Sequence, residues 1–124
     1  MSLRVLICDN EEPLRALVRA ALAPRGYELL EARDGDESLE LAREAKPDLI
    51  VLDMMMPGRT GLDVLRELRA DPEFSAIPVV MLTARTQLTD EQAAADAGAD
   101  RFLPKPFSPL ELDALIVSLL EDAP

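Results

Sequence analysis

Four short apolar runs in the sequence each end on residues with polar or charged side chains that could do chemistry. The runs end in Asp9-Asn10-Glu11-Glu12, in Asp53, in Thr83-Ala84 and in Leu103-Pro104-Lys105-Pro106. In an open parallel α/β sheet, ligands bind beyond the carboxyl ends of the strands. If the apolar runs are strands of such a sheet, we expect carboxylates, a hydroxyl and an amine to meet at one edge.

Carboxylates grouped in this way suit a hard divalent cation. Converging carboxylates repel one another, and oxygen ligands are the ligands that Mg²⁺ prefers. An aspartate can also act as a nucleophile towards phosphorus, with the cation and Lys105 stabilising the phosphoryl oxygens and Thr83 donating a hydrogen bond. The residues therefore predict an aspartyl-phosphate site that uses Mg²⁺.

The elements that must position these groups alternate along the chain. Short runs rich in Val, Ile and Leu alternate with longer stretches of helical period, which predicts a single α/β domain with a doubly wound, five-stranded parallel sheet and five helices. The first, third and fourth runs are almost wholly apolar, as is typical of central strands. The predicted strands are Leu3–Cys8, Tyr27–Ala32, Leu49–Asp53, Val79–Thr83 and Arg101–Leu103.

Each predicted helix is bounded by residues that start or stop helices. Pro24 and Gly26 end the first, Asp34 or less plausibly Ser38 starts the second, and Ser108 with Glu111 caps the fifth. The third follows Gly61, and the fourth covers roughly Thr89–Ala97. The inward stripe of the first helix is predicted to be Leu14, Leu17, Val18, Ala21 and Leu22.

Composition excludes several classes of function. The 124 residues suffice for one domain, and the net charge of −11 repels phosphate backbones, so direct nucleic-acid contact is not expected. With no histidine and one cysteine, Cys8, the chain can form neither a histidine-based triad nor a disulfide framework. No apolar run is long enough to span a membrane, and we expect a cytoplasmic protein.

Four ordered motifs resemble the receiver domains of two-component response regulators, over essentially the whole chain. They are Val5 to Pro13 with Arg15, Pro47 to Gly58 with Gly61, Val79 to Ala84, and Gly98 to Phe107. The resemblance implies a flavodoxin-like sheet in the order 2-1-3-4-5. It also implies a signalling switch that controls a partner or effector, and not an enzyme, although the switch has Mg²⁺-dependent self-phosphorylation and self-dephosphorylation chemistry.

The resemblance also implies roles for single residues. Asp53 would accept a phosphoryl group from a sensor histidine kinase or a histidine phosphotransfer protein, and Lys105 would contact that group. Asp9, Asp53 and the Met55 backbone carbonyl would hold Mg²⁺. Thr83 and Phe102 resemble the switch pair, in which the hydroxyl moves to the phosphoryl group and the ring turns inward. The Lys105–Pro106 bond is a candidate cis peptide.

Asn10 departs from the family pattern, which usually has a second acid at this position. Asn10 offers only a neutral carbonyl oxygen, so we predict weaker Mg²⁺ binding than in a site with two acids after the first strand. Glu11 is a candidate substitute ligand. The departure leaves open a second interpretation, in which the chain is a degenerate receiver that acts as a phosphorylation-independent interaction module.

Receiver domains of this type usually signal through the fourth helix, fifth strand and fifth helix, where we expect a downstream protein effector. A homodimer contact on the fifth helix is left open, because Leu110 and Val117 point away from its core face. That helix has no basic residue, which argues against a transcription-factor type of dimer. A phosphatase is disfavoured because Met55 stands where such enzymes place a second acid, and a flavin carrier because no Ser/Thr-rich phosphate loop follows the first strand.

Overall fold

A computed structural model describes residues 2–84 and 88–121 as five strands and five α-helices. The strands are β1 (Arg4–Cys8), β2 (Glu28–Ala32), β3 (Leu49–Asp53), β4 (Val79–Ala84) and β5 (Arg101–Lys105). The helices are α1 (Glu12–Leu22), α2 (Gly35–Ala45), α3 (Gly61–Ala70), α4 (Leu88–Ala97) and α5 (Pro109–Glu121), with a short 3-10 helix at Ala23–Arg25. All ten predicted elements are confirmed. Relative to the predicted bounds, β1 and β2 begin one residue later, while β4 ends one and β5 two residues later.

The sheet is parallel throughout and has the predicted order β2-β1-β3-β4-β5. Chain order reverses between β1 and β3, which lie side by side with Cys8 opposite Leu52. Ligand sites in such sheets lie beyond the carboxyl ends of the strands at this switch point. The topology therefore places the end of β1 beside the end of β3.

Alternate residues of the central strands pack into two apolar layers. On one face, Leu6, Ile50 and Leu52 pack among residues of α2, α3 and α4. On the other face, Ile7 and Val51 pack among residues of α1 and α5. All five residues of β3 are buried, as expected for a strand covered on both sides.

The buried face of α1 differs from the predicted stripe. Leu17 is 38% exposed, whereas Val18 and Leu22 are completely buried. Arg15 lies on the buried face with them, because residues 15, 18 and 22 are spaced by three and four positions. The inclusion of Leu17 in the inward stripe was wrong, since apolar character alone does not separate the two sides of the helix.

Side-chain caps begin three of the helices. The Asp34 carboxylate accepts a hydrogen bond from the Glu37 backbone N–H at 2.8 Å, which confirms Asp34 as the cap of α2. Thr60 and Asp63 form a reciprocal capping box at α3. At α5, Glu111 accepts from the Ser108 N–H, as the sequence predicts.

Among residues 2–84 and 88–121, no helix has the length and apolar character needed to cross a membrane.

Candidate functional site

Three strand ends bring two carboxylates and one ammonium group together. The Lys105 Nζ atom lies 3.2 Å from Asp9 Oδ2 and 3.1 Å from Asp53 Oδ1. Asp9 follows β1, Asp53 ends β3 and Lys105 ends β5. The Lys105–Pro106 peptide bond that follows is cis, as predicted. The predicted convergence at one sheet edge is thus confirmed for these three residues.

Both carboxylates are buried and held by backbone donors. Asp9 has no exposed surface, and its Oδ1 accepts a hydrogen bond from the Glu11 N–H at 2.8 Å. Asp53 is 2% exposed, and its Oδ1 accepts from the Met55 N–H at 3.3 Å. Buried charges need such partners, because desolvation otherwise costs several kcal/mol. The two aspartates are therefore fixed in position at the sheet edge.

Burial and mutual repulsion change the protonation of the site. Burial, followed by the charge of Asp9, raises the pKa of Asp53 from its ordinary 3.8 to about 6, although Lys105 opposes the shift. Burial lowers the pKa of Lys105, but the charges of Asp53 and Asp9 outweigh this effect and leave that pKa above its ordinary value. The lysine is therefore positively charged at neutral pH. Because the two carboxylates still repel each other, the pocket favours a further cation.

Thr83 lies on β4, the strand next to β3. Asp53 pairs with Leu82 across β3 and β4, so Thr83 is one residue beyond the partner of Asp53. Thr83 is buried, and no described residue provides a hydrogen-bond partner for its Oγ1 atom. Unpaired buried hydroxyls are rare in native proteins, and each one calls for an explanation. A ligand that supplies an acceptor oxygen at the site would satisfy this group.

The other predicted site residues lie at the surface. The side chains of Asn10 and Glu11 are exposed, and Met55 is 67% exposed. Phe102 on β5 is 38% exposed. Among the residues that the structure describes, no three Asp, Glu, Cys or His side chains form a metal-binding group. Two carboxylates converge, those of Asp9 and Asp53, and the exposed Asn10 adds no charge.

Gly61 allows α3 to begin directly against the end of β3. A Cβ atom on Gly61 would lie 2.2 Å from the Asp53 carbonyl oxygen and 2.8 Å from the Met54 Cα atom. The Gly61 N–H also donates to the Met54 carbonyl at 3.0 Å. The sequence motif contains this glycine, but the close approach depends on tertiary packing that sequence reasoning did not anticipate.

Arg15 is a second residue to which sequence reasoning gave no role. Its side chain is 9% exposed, and its Nη1 donates to the Asp9 backbone carbonyl at 2.7 Å. Its other nitrogens contact Glu31 at 3.0 Å and Glu12 at 2.6 Å. A usable signal was present, because Arg15 has helical spacing with Val18 and Leu22, so a charged residue occupies the apolar face of α1.

The donor set fits Mg²⁺. Asp9 and Asp53 supply hard carboxylate oxygens, which suit this ion, and their mutual repulsion would be relieved by a divalent cation. The Thr83 hydroxyl, which has no partner among the described residues, and the Lys105 ammonium group are donors suited to phosphoryl oxygens. The residues at this sheet edge therefore suit both a divalent cation and an oxyanion.

Comparison with known proteins gives a family match over most of the chain. A family model described as the response regulator receiver domain matches residues 5–117. The DNA-binding response regulator MtrA of Mycolicibacterium smegmatis is 40% identical over 127 residues, a match that covers 100% of this chain and 54% of MtrA. Response regulator MprA of Mycobacterium ulcerans is 42% identical over 120 residues, covering 97% of this chain and 51% of MprA. The chain spans about half the length of these relatives.

Solved structures agree with the sequence matches. The chemotaxis response regulator CheY4 of Vibrio cholerae superimposes with a TM-score of 0.89 at 32% identity. That alignment covers 97% of this chain and 100% of the CheY4 chain. A protein of matching size therefore has the same arrangement of five strands and five helices.

Proposed function

The chain belongs to the response regulator receiver domain family, and we propose that Asp53 is the residue that takes a phosphoryl group in its signalling cycle. The domain is a signalling switch of a two-component phosphorelay. The observation that carries the assignment of Asp53 is its burial at a strand end in contact with Lys105, while the Thr83 hydroxyl on the neighbouring strand has no hydrogen-bond partner among the described residues.

The Oδ2 atom of Asp53 is the best candidate for the attacking atom. Its Oδ1 atom is engaged by Lys105 and the Met55 N–H, whereas no described residue donates a hydrogen bond to Oδ2. Attack by Oδ2 on a phosphohistidine forms the P–O bond as the P–N bond breaks, and the leaving imidazole nitrogen keeps the electron pair and takes a proton. Lys105 neutralises charge on the transferred oxygens, and Thr83 donates its hydroxyl to one of them.

Magnesium is a general requirement of the family, and we propose that Asp9, Asp53 and the Met55 backbone carbonyl hold it here. When bound, the ion neutralises negative charge on the phosphoryl group. Asn10 would contribute at most a neutral oxygen, and Glu11, the next residue in the sequence, is an acid that could supplement it. Their side chains are exposed and thus free to turn towards the site. We expect weak magnesium binding because Asn10 supplies no negative charge.

Thr83 and Phe102 are the proposed switch pair. Phe102 is 38% exposed, an outward position from which the ring would turn inward, and no described residue partners the Thr83 hydroxyl, which a phosphoryl oxygen would satisfy. The movement would be transmitted to the surface of α4, β5 and α5, where we propose that a downstream effector binds. A homodimer through the same surface is the alternative use of this face, and measurement of mass in solution with and without phosphorylation distinguishes the two.

The other partners to consider are the phosphoryl donor and nucleic acid. The donor would be a sensor histidine kinase or a histidine phosphotransfer protein in the cytoplasm. The name of MtrA states that it binds DNA, which weakens the argument from α5 against a transcription factor. We nevertheless propose that these 124 residues make no nucleic-acid contact, because their net charge is −11. A gel-shift titration with nonspecific duplex DNA at low salt tests that proposal.

The experiment that tests phosphorylation is intact-protein mass after incubation with acetyl phosphate, with and without Mg²⁺. The wild type should gain one phosphoryl group in a magnesium-dependent manner, and Asp53→Ala should gain none. Asp48→Ala is the matched control, because Asp48 is exposed and comes directly before the first residue of β3, whereas Asp53 is the last residue of that strand. If the wild type gains nothing at any magnesium concentration, the switch assignment fails and the interaction module suggested by Asn10 takes its place.

A further inference from the structure

We propose that Arg15 is a positioning residue for the magnesium site, acting through the backbone of Asp9. This inference rests on the proposed function, because it concerns the same pair of carboxylates. Arg15 does not contact the reacting groups. Its guanidinium donates to the Asp9 carbonyl at 2.7 Å, which is the peptide group that joins Asp9 to Asn10.

The contact is built into a rigid setting. Arg15 is 7% exposed, and Glu31 and Glu12 hold two further nitrogens of its planar guanidinium. Glu31 belongs to β2 and Glu12 to α1, so the arginine ties two elements to the loop that carries Asp9. A guanidinium already held at two points by carboxylates loses little additional freedom when it donates to a carbonyl.

The consequence for Asp9 follows from its other contacts. Its carboxylate is fixed by the Glu11 N–H on one oxygen and by Lys105 on the other. Its carbonyl is fixed by Arg15, so both ends of the residue have defined partners. Since Asn10 supplies no charge, Asp9 is the one buried carboxylate after β1, and its orientation determines how well this loop binds a cation.

Arg19 provides a matched control. It contacts the same two carboxylates, Glu31 at 2.5 Å and Glu12 at 3.2 Å, but it makes no hydrogen bond to Asp9 in the described contacts. Arg15→Met and Arg19→Met therefore each remove one positive charge from beside the same two acids, and in each variant the other arginine still contacts both acids. They differ in whether the Asp9 carbonyl loses its donor.

The two variants separate positioning from charge because the effects have opposite signs. Removing a nearby positive charge should strengthen the binding of Mg²⁺ in both variants. Loss of positioning should weaken it, since changes to groups that orient metal ligands typically reduce affinity by about 10–100-fold. We expect about 10-fold weaker binding for Arg15→Met, and unchanged or slightly tighter binding for Arg19→Met.

The experiment is calorimetric titration of the unphosphorylated proteins with MgCl₂ at constant ionic strength, at a temperature where circular dichroism shows each variant to be folded. Unchanged or tighter binding by Arg15→Met, or equal weakening by Arg19→Met, would overturn the inference. If Arg15→Met does not fold, Arg15→Lys is measured instead, with weaker binding expected and wild-type affinity counting against positioning. If the wild type itself binds no Mg²⁺, the magnesium part of the proposed function fails before the role of Arg15 is tested.

Discussion

Substitution of Gly61 by alanine tests whether the close approach between α3 and β3 supports the site. A Cβ atom there would lie 2.2 Å from the Asp53 carbonyl oxygen, 2.8 Å from the Met54 Cα and 2.9 Å from the Asp53 carbonyl carbon. All three atoms belong to the backbone, so no side-chain rotation can relieve the overlap. The start of α3 or the end of β3 must move by about 1 Å to restore normal carbon contacts.

Two opposing effects set the magnitude for Gly61→Ala. Alanine in a helix is favoured over glycine by about 1 kcal/mol, whereas overpacking of a close-packed interior costs about 1–3 kcal/mol and sometimes more. Because the overlap is with backbone at three points, we expect the upper end of that cost and a net destabilisation of about 2 kcal/mol. For a domain of this size the melting temperature should fall by roughly 8 °C.

Urea unfolding and the rate of phosphorylation by acetyl phosphate check this prediction together. Displacement of the Asp53 backbone should slow phosphorylation as well as lower the unfolding midpoint. Gly26→Ala is the control, because Gly26 has a φ of +77° and nothing near its Cβ position, so it should cost about 1 kcal/mol through backbone strain and leave the rate unchanged. Equal or greater stability of Gly61→Ala, together with a wild-type rate, would refute the reasoning.

Three further predictions follow from burial and charge. In magnesium-free buffer, Asp53→Asn should stabilise the domain by up to about 3 kcal/mol at pH 7 and by less than about 1 kcal/mol near pH 4. The pKa of Asp53 in the folded state, about 6, exceeds the ordinary 3.8, so the native wild type binds protons more strongly than the unfolded chain and loses stability as pH rises through this window. A gain in stability that is independent of pH in urea titrations would contradict the assignment. Burial raises the pKa of Cys8 to about 12, so the thiol should react with Ellman's reagent at pH 8 only as fast as the protein unfolds, and rapid labelling of the folded protein would contradict this. Arg69 donates to three backbone carbonyls and to Asp100, so Arg69→Met should lower the free energy of unfolding by about 2–4 kcal/mol. Arg66 is exposed, and Arg66→Met should change the free energy of unfolding by less than about 0.5 kcal/mol. If urea unfolding gives equal changes for the two variants, the hydrogen bonds of Arg69 contribute little to stability.

Much of the fold was predictable because it follows from local patterns. The alternation of apolar runs with helical periods gives a parallel sheet, and strand ends in such a sheet share an edge, so Asp9, Asp53 and Lys105 were expected to meet. The order of the strands came from resemblance, since periodicity does not fix which strands are neighbours. Strand ends were less accurate: β5 extends through Pro104 to Lys105, which pairs with Ala84, although Pro104 lowers the local strand signal.

The supports of the site were not predictable from local patterns. Arg15 reads as a solvated charge unless its spacing with Val18 and Leu22 is noticed, and even then the sequence does not reveal that it donates to Asp9. The requirement for glycine at position 61 arises from how closely two elements pack. Both are tertiary effects, and both concern the backbone of an aspartate rather than its carboxylate.

This distinction bears on how Asn10 should be judged. Counting acids leaves two carboxylates against one ammonium group, a net charge of −1 where a further acid would give −2, and this difference argues for weaker magnesium binding. A charge count, however, omits the conformational freedom that a ligand must lose when it is oriented towards a cation. Asp9 has already lost this freedom on folding, because the Glu11 N–H, Lys105 and Arg15 fix its position. A site whose remaining ligands are fixed can bind a cation better than its charge suggests. The supports behind Asp9 and Asp53 therefore favour a working switch despite Asn10, and the measured magnesium affinity tests this conclusion.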